Sequence, residues 1–146
     1  MKSPAIVLAG GLGTRLRSIT GDRWPKPMAP VELNGASYPF LEFVLEHLRA
    51  QEVREVVICV GHLGEQITQY FDDGSRFGLT IDYDDAGDAL TATRVLSAAR
   101  ANSASEFLVV CGDIYHPVAY SDLMTNLQGS PGRLAQVAVC TRGEGE

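Results

Sequence analysis

The sequence predicts an α/β fold: a Rossmann-like, mostly parallel sheet with helices on both faces. Short apolar runs rich in β-branched residues alternate with segments of helical periodicity. The apolar runs are continuous rather than alternating, which is typical of strands buried on both faces of a parallel sheet. With 146 residues the chain is long enough for one substantial core, and we expect a single domain over residues 1–146.

Five strands and four helices are expected along the chain. The strands are predicted at about 5–9, 56–60, 79–83, 107–111 and 134–140. The helices are predicted in YPFLEFVLEHLRAQ, GEQITQYF, ALTATRVLSAARA and YSDLMTNL. In the first of these, apolar residues recur at helical spacing after Pro39, a residue favoured near helix starts. Ligands of such sheets bind at the carboxyl ends of the strands, so the turn at Gly10 and the segment after Cys111 should share one edge.

The charge distribution indicates a small anionic ligand near the amino terminus. The formal net charge of −6 argues against nucleic acid or an anionic membrane surface as a partner. Residues 1–30 nevertheless contain five basic residues against Asp22 alone. A cationic island in an acidic chain favours a bound anion. No apolar run approaches the roughly 20 residues that span a bilayer, and the first residues lack the pattern of a signal peptide, so a cytoplasmic protein is expected.

The three cysteines are interpreted as reduced, buried thiols. Cys59, Cys111 and Cys140 end or nearly end predicted strands, and free cysteine is among the most buried residue types. The chain has no CxxC pair, so a zinc site is not expected.

The stretch LAGGLGTRL, residues 8–16, carries three glycines directly after the first strand. One interpretation is a plain tight turn. The other is a phosphate cradle, since glycines allow positive φ angles and let successive backbone amides approach an anion. The loop matches neither the Rossmann fingerprint, which would need glycine at Leu16, nor the P-loop, whose Gly-Lys-Ser/Thr triplet is absent.

Two cations near this loop favour the phosphate cradle. Arg15 offers a planar fork of donors that suits phosphate oxygens, and Lys26 is a compact point charge. Lys26 lies between Pro25 and Pro27, which restrict the backbone on both sides of it. A lysine held this stiffly is predicted to serve a ligand, although a solvated lysine in a proline-rich loop is the alternative.

The stretch LAGGLGTRLRSITGDRWPKPMAPV resembles the signature of the sugar-1-phosphate nucleotidyltransferases. The resemblance extends from about Ala5 to Val118 and is strongest to the guanylyltransferases for heptose-1-phosphate and mannose-1-phosphate. It implies the nucleotide-diphospho-sugar transferase type of Rossmann-like fold, in a form that is short at the carboxyl end. It also implies a set of nucleoside triphosphate contacts: Leu8, Ala9, Gly10, Gly11, Gly13, Thr14 and Thr91. By the same resemblance, Arg15 would hold the β and γ phosphates and Lys26 would stabilise charge during transfer.

Asp113 is the candidate metal ligand. It follows the predicted strand FLVVC and a glycine, and an isolated Gly-Asp in that position is often only a turn. The resemblance implies that this aspartate binds Mg²⁺, and magnesium in proteins prefers one or two carboxylates together with phosphate oxygens.

The reaction implied by the resemblance joins a nucleoside triphosphate, with GTP favoured, to a sugar-1-phosphate. A phosphate oxygen of the sugar would attack the α-phosphorus and expel pyrophosphate, with no protein nucleophile. Catalysis would consist of alignment and neutralisation of charge by Mg²⁺, Arg15 and Lys26.

The chain departs from the family pattern in two places. After the strand ending near Tyr83 the family has a glycine-rich turn that contacts base and ribose, whereas this chain has DDAGDALTATRVL and keeps only Thr91. The family's chains are also longer, and their further part supplies a second metal-binding aspartate and the sugar-binding contacts. Between Val118 and the tail this chain offers only Asp122.

Three interpretations of function therefore stay open at the level of the sequence. The leading one is a nucleotidyltransferase domain. The second is a catalytically inactive nucleotide-binding or regulatory module, or a fragment, that pairs with a complete enzyme. The third is a related transferase acting on molybdenum cofactor or another alcohol phosphate. A homo-oligomer or a complementing subunit is the partner that we expect beside the two substrates.

Overall fold

The computed structural model describes residues 3–11, 23–85, 95, 97–99 and 105–138. The chain divides into two compact units, Met1–Tyr115 and His116–Glu146. The described residues of the larger unit contain the strands β1 (Ala5–Leu8), β2 (Pro30–Leu33), β3 (Ala36–Pro39), β4 (Glu55–Cys59), β5 (Thr80–Asp84) and β6 (Leu108–Cys111). They also contain the helices α1 (Phe40–Ala50) and α2 (Gly64–Phe71), helical residues at 95 and 97–99, and 3₁₀ turns at Lys26–Met28 and Ser75–Phe77. The smaller unit contains α3 (Tyr120–Gln128).

A four-stranded parallel sheet in the order β5-β4-β1-β6 forms the centre of the larger unit. One of its two inner strands, β1, pairs with β4 on one side and β6 on the other, so that Leu8 lies opposite Cys59 and Cys111. The predicted parallel α/β sheet is confirmed, and the four strands predicted for it lie within a residue or so of their predicted bounds.

Both faces of the sheet are covered, as the continuous apolar strands predicted. One face carries Ile6 and Val57, which pack with residues 95 and 98–99 of a helical segment. The opposite face carries Val7, which is fully buried. The helix α1 buries one apolar stripe along its whole length, at Leu41, Val44, Leu45 and Leu48. Burial of such side chains stabilises the fold by about 1.5–3 kcal/mol each, so the two buried layers fix where the strand ends lie.

A two-stranded antiparallel hairpin, β2–β3, was not predicted from the sequence. Its turn is Asn34–Gly35, and both residues have positive φ, 52° and 79°. Leu33 pairs directly with Ala36, which makes this the two-residue hairpin loop that Asn-Gly favours. The Asn-Gly dipeptide was therefore the available signal for the hairpin.

The strand predicted at about 134–140 is wrong for its described part, residues 134–138, which form neither strand nor helix. Leu134 and Val137 are 96% and 72% exposed. An apolar run has β propensity, but a strand also needs a neighbour to pair with, and within the described residues this segment has none. In the same unit, the predicted helix YSDLMTNL is confirmed as α3.

The helix predicted in ALTATRVLSAARA lies mostly outside the described residues, although residues 95 and 97–99 are helical. GEQITQYF is confirmed as α2 over its full length. Across the part of the chain that the structure describes, no helix has the length and apolar character needed to cross a membrane.

Candidate functional site

The predicted site lies at the carboxyl edge of the parallel sheet. The amide of Gly112 donates to the Leu8 carbonyl at 2.9 Å, and the amide of Ala9 donates to the Cys59 carbonyl at 3.0 Å. These bonds extend the β1 ladders by one residue on each side, so the strand ends leave the sheet side by side. The predicted placement of the Gly10 turn and the segment after Cys111 on one edge is confirmed.

Two glycines at this edge meet different surroundings. A Cβ added at Gly112 would come within 3.2 Å of the Leu8 carbonyl oxygen and 3.3 Å of Leu41 Cδ1, so the protein's own packing leaves little room for a larger residue there. Among the described residues, nothing lies within 4 Å of a Cβ added at Gly11, and Gly11 does not have a positive φ. Packing against the described part of the chain therefore does not account for this glycine.

Lys26 is presented to this edge by a rigid turn. Pro25 and Pro27 are buried while Lys26 between them is half-exposed. The amide of Met28 donates to the Pro25 carbonyl at 2.8 Å, which closes the 3₁₀ turn Lys26–Met28. Since proline also fixes its own φ, the backbone of Lys26 has little freedom, as its sequence context predicted.

Lys26 and Asp113 meet directly. Lys26 Nζ lies 2.8 Å from Asp113 Oδ2, and the two side chains are 31% and 27% exposed. The two residues are 87 positions apart in the chain, and each was predicted separately as a site residue. The sequence predicted one edge for the Gly10 turn and the segment that contains Asp113, but it contained no signal of this ion pair. The distance is that of a strong, charge-assisted hydrogen bond.

The Asp113 carboxylate affects the pKa of Cys111, the last residue of β6. Partial burial, with a smaller contribution from the Asp113 carboxylate, raises the pKa of the Cys111 thiol above its ordinary value. The thiol therefore stays protonated at neutral pH. Within the described residues neither Cys59 nor Cys111 is part of a disulfide. Cys59 is fully buried, as predicted, whereas Cys111 is only partly buried. Cys140 lies outside the described residues.

Four of the predicted site residues lie outside the described part of the chain: Gly13, Thr14, Arg15 and Thr91. Those described are Leu8, Ala9, Gly10, Gly11, Lys26 and Asp113, and all belong to the same edge or reach it. Ala9 is only 2% exposed as a whole residue, and its amide is taken up by the Cys59 carbonyl, so this structure leaves Ala9 little surface for a ligand.

The donor set at the edge fits a magnesium ion that takes most of its ligands from phosphates. Among the described residues no cluster of three or more His, Cys, Asp or Glu side chains could form an all-protein metal site. Asp113 supplies one partly exposed carboxylate beside the glycine turn. One or two carboxylates plus phosphate oxygens is the arrangement that Mg²⁺ usually adopts in nucleotide sites.

A separate open cleft of about 560 Å³ lies between α1, α2 and the turn Ser75–Phe77. None of the predicted site residues lines it. Its groups contact one another: Tyr70 Oη donates to Glu42 Oε2 at 2.8 Å, and the Arg76 guanidinium lies 4.7 Å from the Phe77 ring centroid. Burial and the hydrogen bond to Glu42 raise the pKa of Tyr70. These contacts give the cleft a structural role in joining the two helices.

The fold defines the chain as a Rossmann-like α/β protein with its candidate site at the carboxyl edge of the sheet. The family model for nucleotidyl transferases matches residues 4–144, which is nearly the whole chain. The chain belongs to the nucleotidyl transferase family.

Curated relatives and solved structures agree with this assignment. D-glycero-alpha-D-manno-heptose 1-phosphate guanylyltransferase of Campylobacter jejuni is 38% identical over 122 residues, which are 84% of this chain and 52% of that protein. UTP–glucose-1-phosphate uridylyltransferase of Synechocystis is 38% identical over 75% of this chain and 30% of its own length.

The crystal structure of HddC from Yersinia pseudotuberculosis superposes with a TM-score of 0.72 at 30% sequence identity, covering 85% of this chain and 53% of that one. The same protein has also been solved in complex with GMP-PN. This chain thus spans about half the length of the guanylyltransferase and of the solved structure that it matches.

Proposed function

We propose that the chain is the nucleotide-binding part of a sugar-1-phosphate nucleotidyltransferase that uses GTP. The Lys26–Asp113 pair at 2.8 Å carries the proposal, because it sets a cation and a carboxylate beside a glycine turn at the ligand edge of the sheet. Similarity to a heptose 1-phosphate guanylyltransferase supports GTP as the nucleotide and a sugar-1-phosphate as the acceptor. The proposal includes a cytoplasmic location for the enzyme, because both substrates are available in the cytoplasm.

In the proposed reaction a phosphate oxygen of the sugar-1-phosphate attacks the α-phosphorus of GTP. A new P–O bond forms, the bond from the α-phosphorus to the bridging oxygen breaks, and pyrophosphate leaves with that electron pair. The backbone of Gly10 and Gly11 would contact the triphosphate, and the ammonium of Lys26 would offset negative charge that grows on the phosphates. Arg15 would hold the β and γ phosphates. Mg²⁺, held by Asp113, would supply further neutralisation of charge.

Calorimetric titration with GTP, ATP, UTP, CTP and dTTP, each with and without Mg²⁺, tests the proposal. We expect GTP to bind most tightly and to need Mg²⁺. Asp113→Asn should remove the dependence on Mg²⁺, whereas Asp122→Asn, an equal change at an exposed residue of α3, should keep it. Equal affinity for GTP with and without Mg²⁺ would contradict the role given to Asp113.

Lys26→Met tests whether the lysine acts in the transfer step. We expect it to lower kcat by about 100- to 1000-fold, as loss of a group that stabilises transition-state charge does, while the affinity for GTP falls only a few-fold. The matched control is Arg54→Met, which removes an exposed cation just before β4, at the opposite edge of the sheet. Equal losses of affinity and turnover would assign Lys26 to ground-state binding instead.

No binding of any nucleotide would favour the fragment or regulatory module that pairs with a complete enzyme, because the chain would then not form the nucleotide site by itself. The next experiment would add, as a separate chain, the part of the Campylobacter jejuni guanylyltransferase that this chain does not match. Recovery of nucleotide binding on that addition would identify a complementing subunit as the partner.

A further inference from the structure

The turn that carries Lys26 is anchored to the fold on both sides. On the downstream side, Ala29 donates its amide to the Lys26 carbonyl at 3.1 Å and accepts from the Phe40 amide at 2.9 Å. This contact ties the turn to the first residue of α1. On the upstream side, Gln66 Nε2 donates to the Arg23 carbonyl at 2.9 Å across 43 positions of the chain. The side chain of Gln66 is thus the anchor on the side from which the chain enters the turn.

Gln66 itself sits on a firmly packed element. The helix α2 buries Gly64, Ile67 and Phe71. A Cβ added at Gly64 would lie 2.8 Å from Val60 Cβ, so the first turn of the helix packs directly against the segment that follows β4. The half-exposed side chain of Gln66 extends from this rigid base, and its hydrogen bond transfers the position of the helix to the backbone at Arg23.

Between Arg23 and Lys26 there is little slack. Pro25 is buried with φ −63° and ψ 147°, and the residue before a proline is itself restricted to extended geometry. A shift of the Arg23 carbonyl is therefore passed along a stiff segment to Lys26. A displacement of about 1 Å at a catalytic group can cost about 100-fold in rate, so the upstream anchor bears on where the ammonium lies.

We propose that Gln66 is a positioning residue that acts through Lys26: its hydrogen bond to the Arg23 carbonyl holds the Pro25–Pro27 segment so that Lys26 Nζ reaches Asp113. The effect of Gln66 on the position of Lys26 Nζ concerns the fold alone and does not depend on the proposed function. Its consequence for catalysis rests on the proposed function, in which Lys26 meets the phosphates.

The test uses variants of equal size on one helix. Gln66→Glu keeps the length of the side chain but replaces the N–H donor with a carboxylate, which cannot donate to a carbonyl. Gln66→Ala removes the same donor without adding charge. Gln69→Glu is the matched control, because Gln69 is an exposed residue of the same helix.

The first measurement is an NMR spectrum with labelled lysine Cε, which needs neither substrate nor turnover. The chain has two lysines, Lys2 and Lys26, so Lys26→Arg assigns the signals. The shift of the Lys26 signal in Asp113→Asn reports the loss of the ion pair. We expect Gln66→Glu and Gln66→Ala to move that signal at least about halfway to its Asp113→Asn position, and Gln69→Glu to leave it in place. An unchanged Lys26 signal in both Gln66 variants would overturn the proposal.

The second measurement separates positioning from general structure through kinetics. Gln66→Glu should lower kcat about 3- to 10-fold, less than the roughly 100-fold that a full displacement of about 1 Å can cost, with KM nearly unchanged. In the Lys26→Met background it should lower kcat no further, because the two residues act as one unit. Equal losses in both backgrounds would overturn the proposal. If the chain shows no turnover by itself, the nucleotide titration decides the proposed function, and the NMR result still decides the role of Gln66.

Discussion

At the scale of single residues, the two glycines of the candidate site differ in what requires them. Gly112 is fixed by the protein's own packing, since an added Cβ would meet the Leu8 carbonyl and the side chains of Val7 and Leu41 at 3.2–3.3 Å. At Gly11 no described atom lies within 4 Å of an added Cβ. Packing against the described residues thus explains only one of two glycines that look alike in the sequence.

Gly112→Ala should lower the free energy of unfolding by about 1–3 kcal/mol, the usual cost of forcing extra volume into a packed site. Gly11→Ala should change it by less than about 0.5 kcal/mol but weaken the binding of GTP, because the new methyl group occupies the approach to the backbone. Chemical denaturation and calorimetry measure the two effects. A stable Gly11→Ala protein with unchanged affinity for GTP would contradict the phosphate-cradle interpretation.

Tyr83 gives a pH-dependent prediction. Burial, with the carboxylates of Asp72 and Asp73, raises its pKa to about 12, and its hydroxyl donates to the Asp72 carbonyl at 2.6 Å. The folded state thus favours the neutral phenol more than the unfolded chain does. The stability that this contributes is complete below pH of about 10, the ordinary tyrosine pKa, and is lost as the pH rises towards 12.

The difference between the ultraviolet titrations of the wild type and Tyr83→Phe isolates this phenol. We expect a midpoint near 12 in the difference curve and a smaller loss of stability in alkali for Tyr83→Phe. A midpoint at the ordinary value would show that Tyr83 is not protected in the folded protein.

At the scale of elements, the sequence predicted the parts whose signal is local. The continuous apolar runs predicted β1, β4, β5 and β6, and helical spacing predicted α1. The Pro-Lys-Pro context predicted a stiff Lys26. The ion pair with Asp113 and the bond from Gln66 to Arg23 join residues 87 and 43 positions apart, and nothing local in the sequence encodes which side chains meet across a fold. The segment 134–138 shows the opposite kind of error. Its apolar pattern predicted a strand, but a strand also needs a neighbouring strand to pair with, and the local pattern does not tell whether there is one.

The hairpin β2–β3 lies between the Lys26 turn and α1 in the chain. The free energy of unfolding of a variant tests its Asn34–Gly35 turn. Gly35 has φ 79° and its added Cβ would meet no neighbour within 4 Å, so replacement by alanine costs only the strained backbone. Gly35→Ala should destabilise the protein by about 1 kcal/mol. Gly11→Ala, which also points into open space but needs no positive φ, is the control in the same denaturation experiment. Equal stability of the two variants would contradict the Asn-Gly turn.

At the scale of the whole molecule, the chain combines the fold of the nucleotidyl transferase family with a cation–carboxylate pair at the edge of its sheet. The family follows from the match over residues 4–144, and the parallel sheet with its solved relative agrees with it. The activity of this chain is proposed from the sheet edge that carries the glycine turn and the Lys26–Asp113 ion pair. The chain spans about half of the relatives' length. Nucleotide binding is therefore the part of the proposed activity that can be measured with this chain alone.

The most direct test of this account is a titration of Mg²⁺·GTP into protein with labelled lysine Cε, followed at the Lys26 signal by NMR. We predict that the signal moves in a saturable way as the nucleotide binds, since the ammonium exchanges its contact with Asp113 for the phosphates. A Lys26 signal that stays in place while calorimetry shows GTP binding to saturation would put the nucleotide elsewhere and contradict the proposed site.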